Sequence, residues 1–169
     1  MASVAASAAN FVQVEQENVT GRQGAGNSDA TYVRAGKDVG NYSLGLQSRT
    51  ARFTDSTIAN SLEGTVANKN ISVMGITPFV GVGHNFTNGS ASYNYGLVGA
   101  TTSMKAGPGF VLAGAKTRVG VSAGEPKQTV AFASYNLPVA KDVTVSAGLS
   151  RSGQDIKEKG VNVGVSFAF

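Results

Sequence analysis

The chain has 169 residues, of which 14% are charged, 22 are glycine and none is cysteine or tryptophan, and its formal net charge is +4. Such a length suits one domain, the lack of cysteine excludes disulfides and thiolate metal sites, and no stretch approaches the roughly 18 apolar residues of a membrane helix. Lysines and arginines stand singly instead of forming a patch, so no nucleic-acid partner is expected.

Met1 to Asn10 lacks the basic and long apolar regions of a signal peptide, although its Ala-Ser-Ala-Ala resembles the small-residue end of one. This segment is expected to be flexible, with a single domain over residues 11–169. From Phe11 onward short alternating runs are separated by Gly, Asn, Asp, Ser and Pro clusters, which is an all-β pattern without helical period. The first run sets Val12 and Val14 on one face and Gln13, Glu15 and Glu17 on the other, because side chains alternate along a strand. Residues 20–29, with three glycines, read as a flexible loop. A run over 30–36 turns at 37–40 into 41–49, where Tyr42, Leu44 and Leu46 oppose Ser43, Gly45, Gln47 and Arg49.

Residues 53–60 read as a longer loop, and the weak strand 62–66 carries Glu63 and ends at 68–70. A long strand is expected over 71–83, with Met74, Ile76, Val80 and Val82 on one face and a kink at Pro78, which lacks a ladder donor. A loop at 84–90 holds His84 and the Asn88-Gly89 turn signal, and the following run shows Tyr93, Tyr95 and Leu97 on one face. After a turn at 105–109, Val111, Ala113, Ala115, Val119 and Val121 alternate with Leu112, Gly114, Lys116, Arg118 and Gly120. A loop at 123–127 precedes a strand at 129–136, a turn at 138–141 and a strand at 143–149. The charged loop 151–159 then delivers the closing run 160–169, with Val161, Val163, Val165, Phe167 and Phe169 opposite Gly160, Asn162, Gly164, Ser166 and Ala168.

The count is ten strands, or eight if the runs near Ala30 and Leu62 are loops. A soluble barrel or sandwich would coat its outside with charge. Here the second face is mostly Gly, Ser, Ala, Thr and Asn, which suits a narrow lumen with Val, Leu and Phe turned to lipid, and the soluble lipocalin-like barrel is the lesser alternative. The fold expected is therefore a transmembrane antiparallel up-and-down β-barrel. Its short turns alternate with longer loops, and Tyr42, Phe132, Tyr135, Phe167 and Phe169 lie where an aromatic girdle belongs. Glu15, Arg49, Glu63, Lys116 and Arg118 are the candidate lumen residues. Their carboxylates, with Glu17, can pair with these cations and Arg34 across the interior, which reads either as neutralisation of buried charge or as an ion-selecting ring. The small residues of the closing run are expected to leave room for water, so Gly164→Ser should be tolerated.

His84 is the single histidine, so no metal site is expected. With Asp55 and Ser90 it leaves a lipid-active enzyme as a remote alternative. No enzyme activity and no cofactor are expected.

The closing run, the Gly-rich alternation and the short/long turn pattern resemble a small Gram-negative outer-membrane β-barrel of porin or opacity-protein type. The resemblance covers most of the chain but is a pattern, not a motif. It implies that Val161, Val163, Val165, Phe167 and Phe169 form a signal for the barrel-insertion machinery. It further implies a monomer among outer-membrane lipid and lipopolysaccharide, both termini periplasmic, passing small solutes or ions as a passive channel. The alternative it allows is a non-conducting structural or adhesive barrel that binds partners through its outward loops.

Overall fold

A computed structural model describes residues 10–22, 26–87 and 92–169; of the expected flexible segment 1–10, residues 1–9 lie outside them and Asn10 instead begins the first strand. Ten strands follow one another: β1 (Asn10–Arg22), β2 (Gly26–Val39), β3 (Tyr42–Phe53), β4 (Ile58–Asn68), β5 (Ile76–Thr87), β6 (Tyr93–Ala106), β7 (Gly109–Gly120), β8 (Lys127–Ala140), β9 (Val143–Gln154) and β10 (Lys159–Ala168). Each pairs antiparallel with its sequence neighbours, and β1 pairs with β10, so the sheet closes on itself. The transmembrane-type, ten-strand up-and-down barrel expected from the alternation is the fold found.

Polarity is inverted relative to a soluble core. Val82, Leu149, Val161 and Val163 are each more than half exposed, whereas Glu15, Glu17, Glu63 and Lys116 are buried. The period of two explains both sets at once, since each strand sends alternate side chains outward and inward. Strand lengths of 10 to 14 residues meet or exceed the roughly 9–11 that a tilted membrane strand needs. The surplus absorbs most of what reads as loop in the sequence. β1 and β2 take up most of residues 20–29, and β3 and β4 leave only 54–57 between them.

Several expectations change with this lengthening. Residues 71–75 are not strand: they form the connection 69–75, with Met74 and Gly75 at positive φ and a lone bridge between Val73 and Ile76. This connection lies at the end of the barrel where short turns were expected, beside the two-residue turns 40–41, 107–108 and 141–142. The turn expected at 138–141 is displaced, because β8 runs through Pro138 with a bulge between Pro138 and Ala140. Pro78 causes no register shift; its ladder with β6 is continuous, and the ladder with β4 ends one residue away at Phe79, where a missing N–H costs nothing. His84 stands within β5, not in a loop, with Nδ1 2.7 Å from the Asn94 side-chain oxygen.

Aromatic residues correct the girdle. Tyr42, Tyr135, Phe167 and Phe169 face outward, but Phe132 is buried inside, as is Tyr95. Their positions follow from cross-strand partners. Phe11 lies opposite Gly36, Tyr95 opposite Gly83, Phe79 opposite Gly99 and Phe132 opposite Gly114. In each pair the ring lies where a glycine Cβ would be. These four inward glycines therefore make space for rings and not for water. On β10, Asn162 and Ser166 are buried too, and a Cβ on Gly164 would stand 2.9 Å from the Val14 carbonyl oxygen. Gly164→Ser thus requires a local shift, contrary to the expectation of easy tolerance.

Candidate functional site

All five candidate lumen residues point inward, where three charged groups organise the interior. Glu15 on β1 receives two hydrogen bonds from Arg34 on β2, from Nη1 at 2.7 Å and Nη2 at 3.2 Å. This bidentate pairing fixes a planar guanidinium against a planar carboxylate. Arg34 also donates from Nε to Gln47 Oε1 at 2.9 Å, carrying the network to β3.

Glu63 on β4 forms the second group. It receives Lys116 Nζ on one oxygen, and on the other Arg118, through Nε at 2.9 Å and Nη2 at 2.8 Å, with Tyr95 OH at 3.3 Å. Strand β7 brings both cations because Lys116 and Arg118 are two apart and share its inner face. Closure of the barrel brings β4 opposite to them. One carboxylate thus faces two cations, which leaves the group one net positive charge, and Arg118 spends a further N–H on Gln128 Oε1 at 2.9 Å.

The third group lies nearer the loop end. Glu17 accepts hydrogen bonds from Tyr32 OH and Ser150 Oγ, each at 2.5 Å. The Tyr32 oxygen in turn accepts Arg49 Nε at 2.9 Å, and its ring sits under the Arg34 guanidinium, 4.5 Å from centroid to Cζ. Glu17 and Arg34 were expected as partners in pairing across the interior, whereas Tyr32 and Tyr95 are the members that the sequence did not single out. Tyr32 shares the face of Arg34, which was a readable signal; the facing of Tyr95 was not, nor were the contacts of either tyrosine.

Together these groups divide the lumen. A cavity of about 300 Å³ opens toward the loop end and is lined by Tyr32, Arg49, Tyr93, Gln128, Ser152 and Glu158 among others. A smaller space of about 40 Å³ lies toward the termini, beside Phe11, Asp38, Ser43 and Thr65. Arg34 and Gln47 border both. Between them stands a waist in which Glu15, Arg34, Glu63 and Lys116 are only 2–4% exposed. Of the residues weighed for hydrolytic chemistry, His84 is on the outer face and Asp55 is in the 54–57 connection, where it accepts the Thr57 N–H; Ser90 lies outside the described residues.

No family model and no curated protein sequence matches the chain. Among solved structures it is similar to the translocator domain of the autotransporter NalP from Neisseria meningitidis, at 15% identity and a TM-score of 0.55, over 95% of this chain and 88% of that one. It is also similar to KdgM porin in complex with disordered oligogalacturonate, at 9% identity and a TM-score of 0.52, over 94% of this chain and 99% of the porin. Likeness at such identity transfers no ligand, only architecture. A closed antiparallel ring of strands is what the likeness covers, and the chain accordingly has the fold of the bacterial outer-membrane β-barrels.

Proposed function

We propose that the protein stands in the outer membrane of a Gram-negative bacterium, termini toward the periplasm, as a non-conducting barrel with a solvent-filled cup at its loop end. The observation that carries this reading is the waist. An aqueous pore leaves its lining side chains accessible along the whole path, whereas Glu63 and Arg34 are each 2% exposed. Arg34 is paired with Glu15, and Glu63 with Lys116 and Arg118, so ion pairs hold the waist together. The cup gives solutes at the loop end access to Arg49, Tyr32 and Gln128 and stops at Arg34 and Lys116. The connections 54–57, 121–126 and 155–158 are short for an adhesive surface, so the cup, more than the loops, is the feature a solute would meet.

Planar-bilayer recording tests this. The wild type should be silent, and Lys116→Ala combined with Glu63→Ala, which removes both sides of one waist contact, should show current steps. Steps of fixed size from the wild type would overturn the closed-lumen reading and restore the passive channel.

A further inference from the structure

The outer wall carries a feature that the lumen does not explain. On β9 the outward residues run Val143, Val145, Ala147 and Leu149 before reaching Arg151; on β10 they run Phe167, Val165, Val163 and Val161 before reaching Lys159. Both strands therefore end their apolar stripe on a cation, at the loop end. The register puts these cations side by side, Lys159 directly opposite Arg151, with Ala131 beyond Arg151 and Thr20 beyond Lys159. One row lower the order is Ala133, Leu149, Val161 and Asn18. The small alanines of β8 leave a shallow trough of about 650 Å³ against Leu149 and Val161, bordered by Arg151, Lys159, Thr20 and Asn18.

Two like charges directly opposed on a ladder destabilise it unless an anion lies between them. Arg151 and Lys159 are both exposed, and neither has an ion-pair partner among the described residues. The unmet charge and the apolar trough call for one molecule carrying both a negative head and a hydrocarbon tail. We infer that this wall binds an anionic lipid, with the headgroup phosphate between Arg151 and Lys159 and an acyl chain in the trough over Ala131 and Ala133. Thr20, next to Lys159, supplies a hydroxyl at the level of the head. The inference rests on the proposal that the barrel stands in a membrane.

The test uses folded protein in zwitterionic detergent, with native mass spectrometry reading retained phosphatidylglycerol against phosphatidylcholine. Folding is checked separately by the mobility shift between unheated and boiled samples. The wild type should retain phosphatidylglycerol preferentially, and Arg151→Gln with Lys159→Gln should lower that preference by about thirtyfold, the combined effect of two cations near a lipid surface. Arg52→Gln, which removes an exposed cation opposite Asp29 on another part of the wall, should leave it unchanged. Ala133→Leu, which fills the trough, should weaken long-chain lipid but not a short-chain analogue of the same headgroup. Inorganic phosphate should not compete. Equal retention of the two lipids by folded wild type, or undiminished preference in the double variant, overturns the lipid site while leaving the barrel standing. A chain that shows no folded band fails at the membrane reading instead.

Discussion

Glu63 holds two cations on one carboxylate in the interior. Removing it leaves Lys116 and Arg118 facing each other without a counter-charge, and breaking a buried pair by deleting one partner costs about 3–5 kcal/mol. Urea titration of Glu63→Ala in lipid vesicles should show a loss of that size. Lys69→Ala, which breaks the 3.1 Å pair with Asp38 at a half-exposed position, should cost at most about 1 kcal/mol, as surface pairs do. Equal losses would contradict the difference in burial. At this scale the sequence was partly legible. Lys116 and Arg118 share a face because they are two apart, and Glu15 and Glu63 were recognisable as inward by the same count. Pairing of these carboxylates and cations across the lumen was expected, but which partner each takes was not legible: Arg118 meets Glu63 across 55 positions, a contact made only when curvature carries β4 round to face β7.

Among the strands, four inward rings, Phe11, Phe79, Tyr95 and Phe132, lie opposite a glycine. Tyr95 over Gly83 and Phe132 over Gly114 are close enough that an added side chain must displace the ring. Gly83→Val or Gly114→Val should therefore destabilise the barrel by about 1–3 kcal/mol, the usual cost of overpacking, whereas Gly96→Val, where a Cβ meets nothing within 4 Å, should be close to neutral. Denaturation midpoints of the three variants check the contrast. These pairings also explain where sequence reading failed. β3, β9 and β10 alternate apolar with small residues, and their facing was plain. In β6 the large residues Tyr93, Tyr95 and Leu97 look like the lipid side, and size alone does not tell a ring packed into a lumen from one lying in a membrane. The signal that could have separated them was the glycine on the neighbouring strand, which is visible only once register is known. The connection 69–75 was missed for a different reason: Ile71, Val73 and Met74 are apolar and suggest strand, yet they are exposed in a turn.

For the whole molecule, the decisive property is an outside more apolar than its inside. Val163 lies on the outer face of β10, between Gln16 of β1 and Ala147 of β9, and Val163→Arg should cost about 2–4 kcal/mol if it stands near the bilayer midplane, read as the folded fraction after insertion into vesicles. A change below about 0.5 kcal/mol, as expected of surface substitutions, would place that face outside lipid. Closure has a consequence in time. Every other strand pair is a hairpin between consecutive segments, whereas the β1–β10 seam joins groups such as the Asn10 amide and the Phe169 carbonyl, 159 positions apart. Closing so long a loop carries an entropic cost of about 4–5 kcal/mol. Until β10 has been made, β1 presents an unpaired edge of N–H and C=O groups beside a wall of exposed valines, the combination that invites pairing with the wrong chain. Guarding that edge during transit is thus a demand set by the topology itself, and a chain cut short before Gly160 would be prone to aggregate.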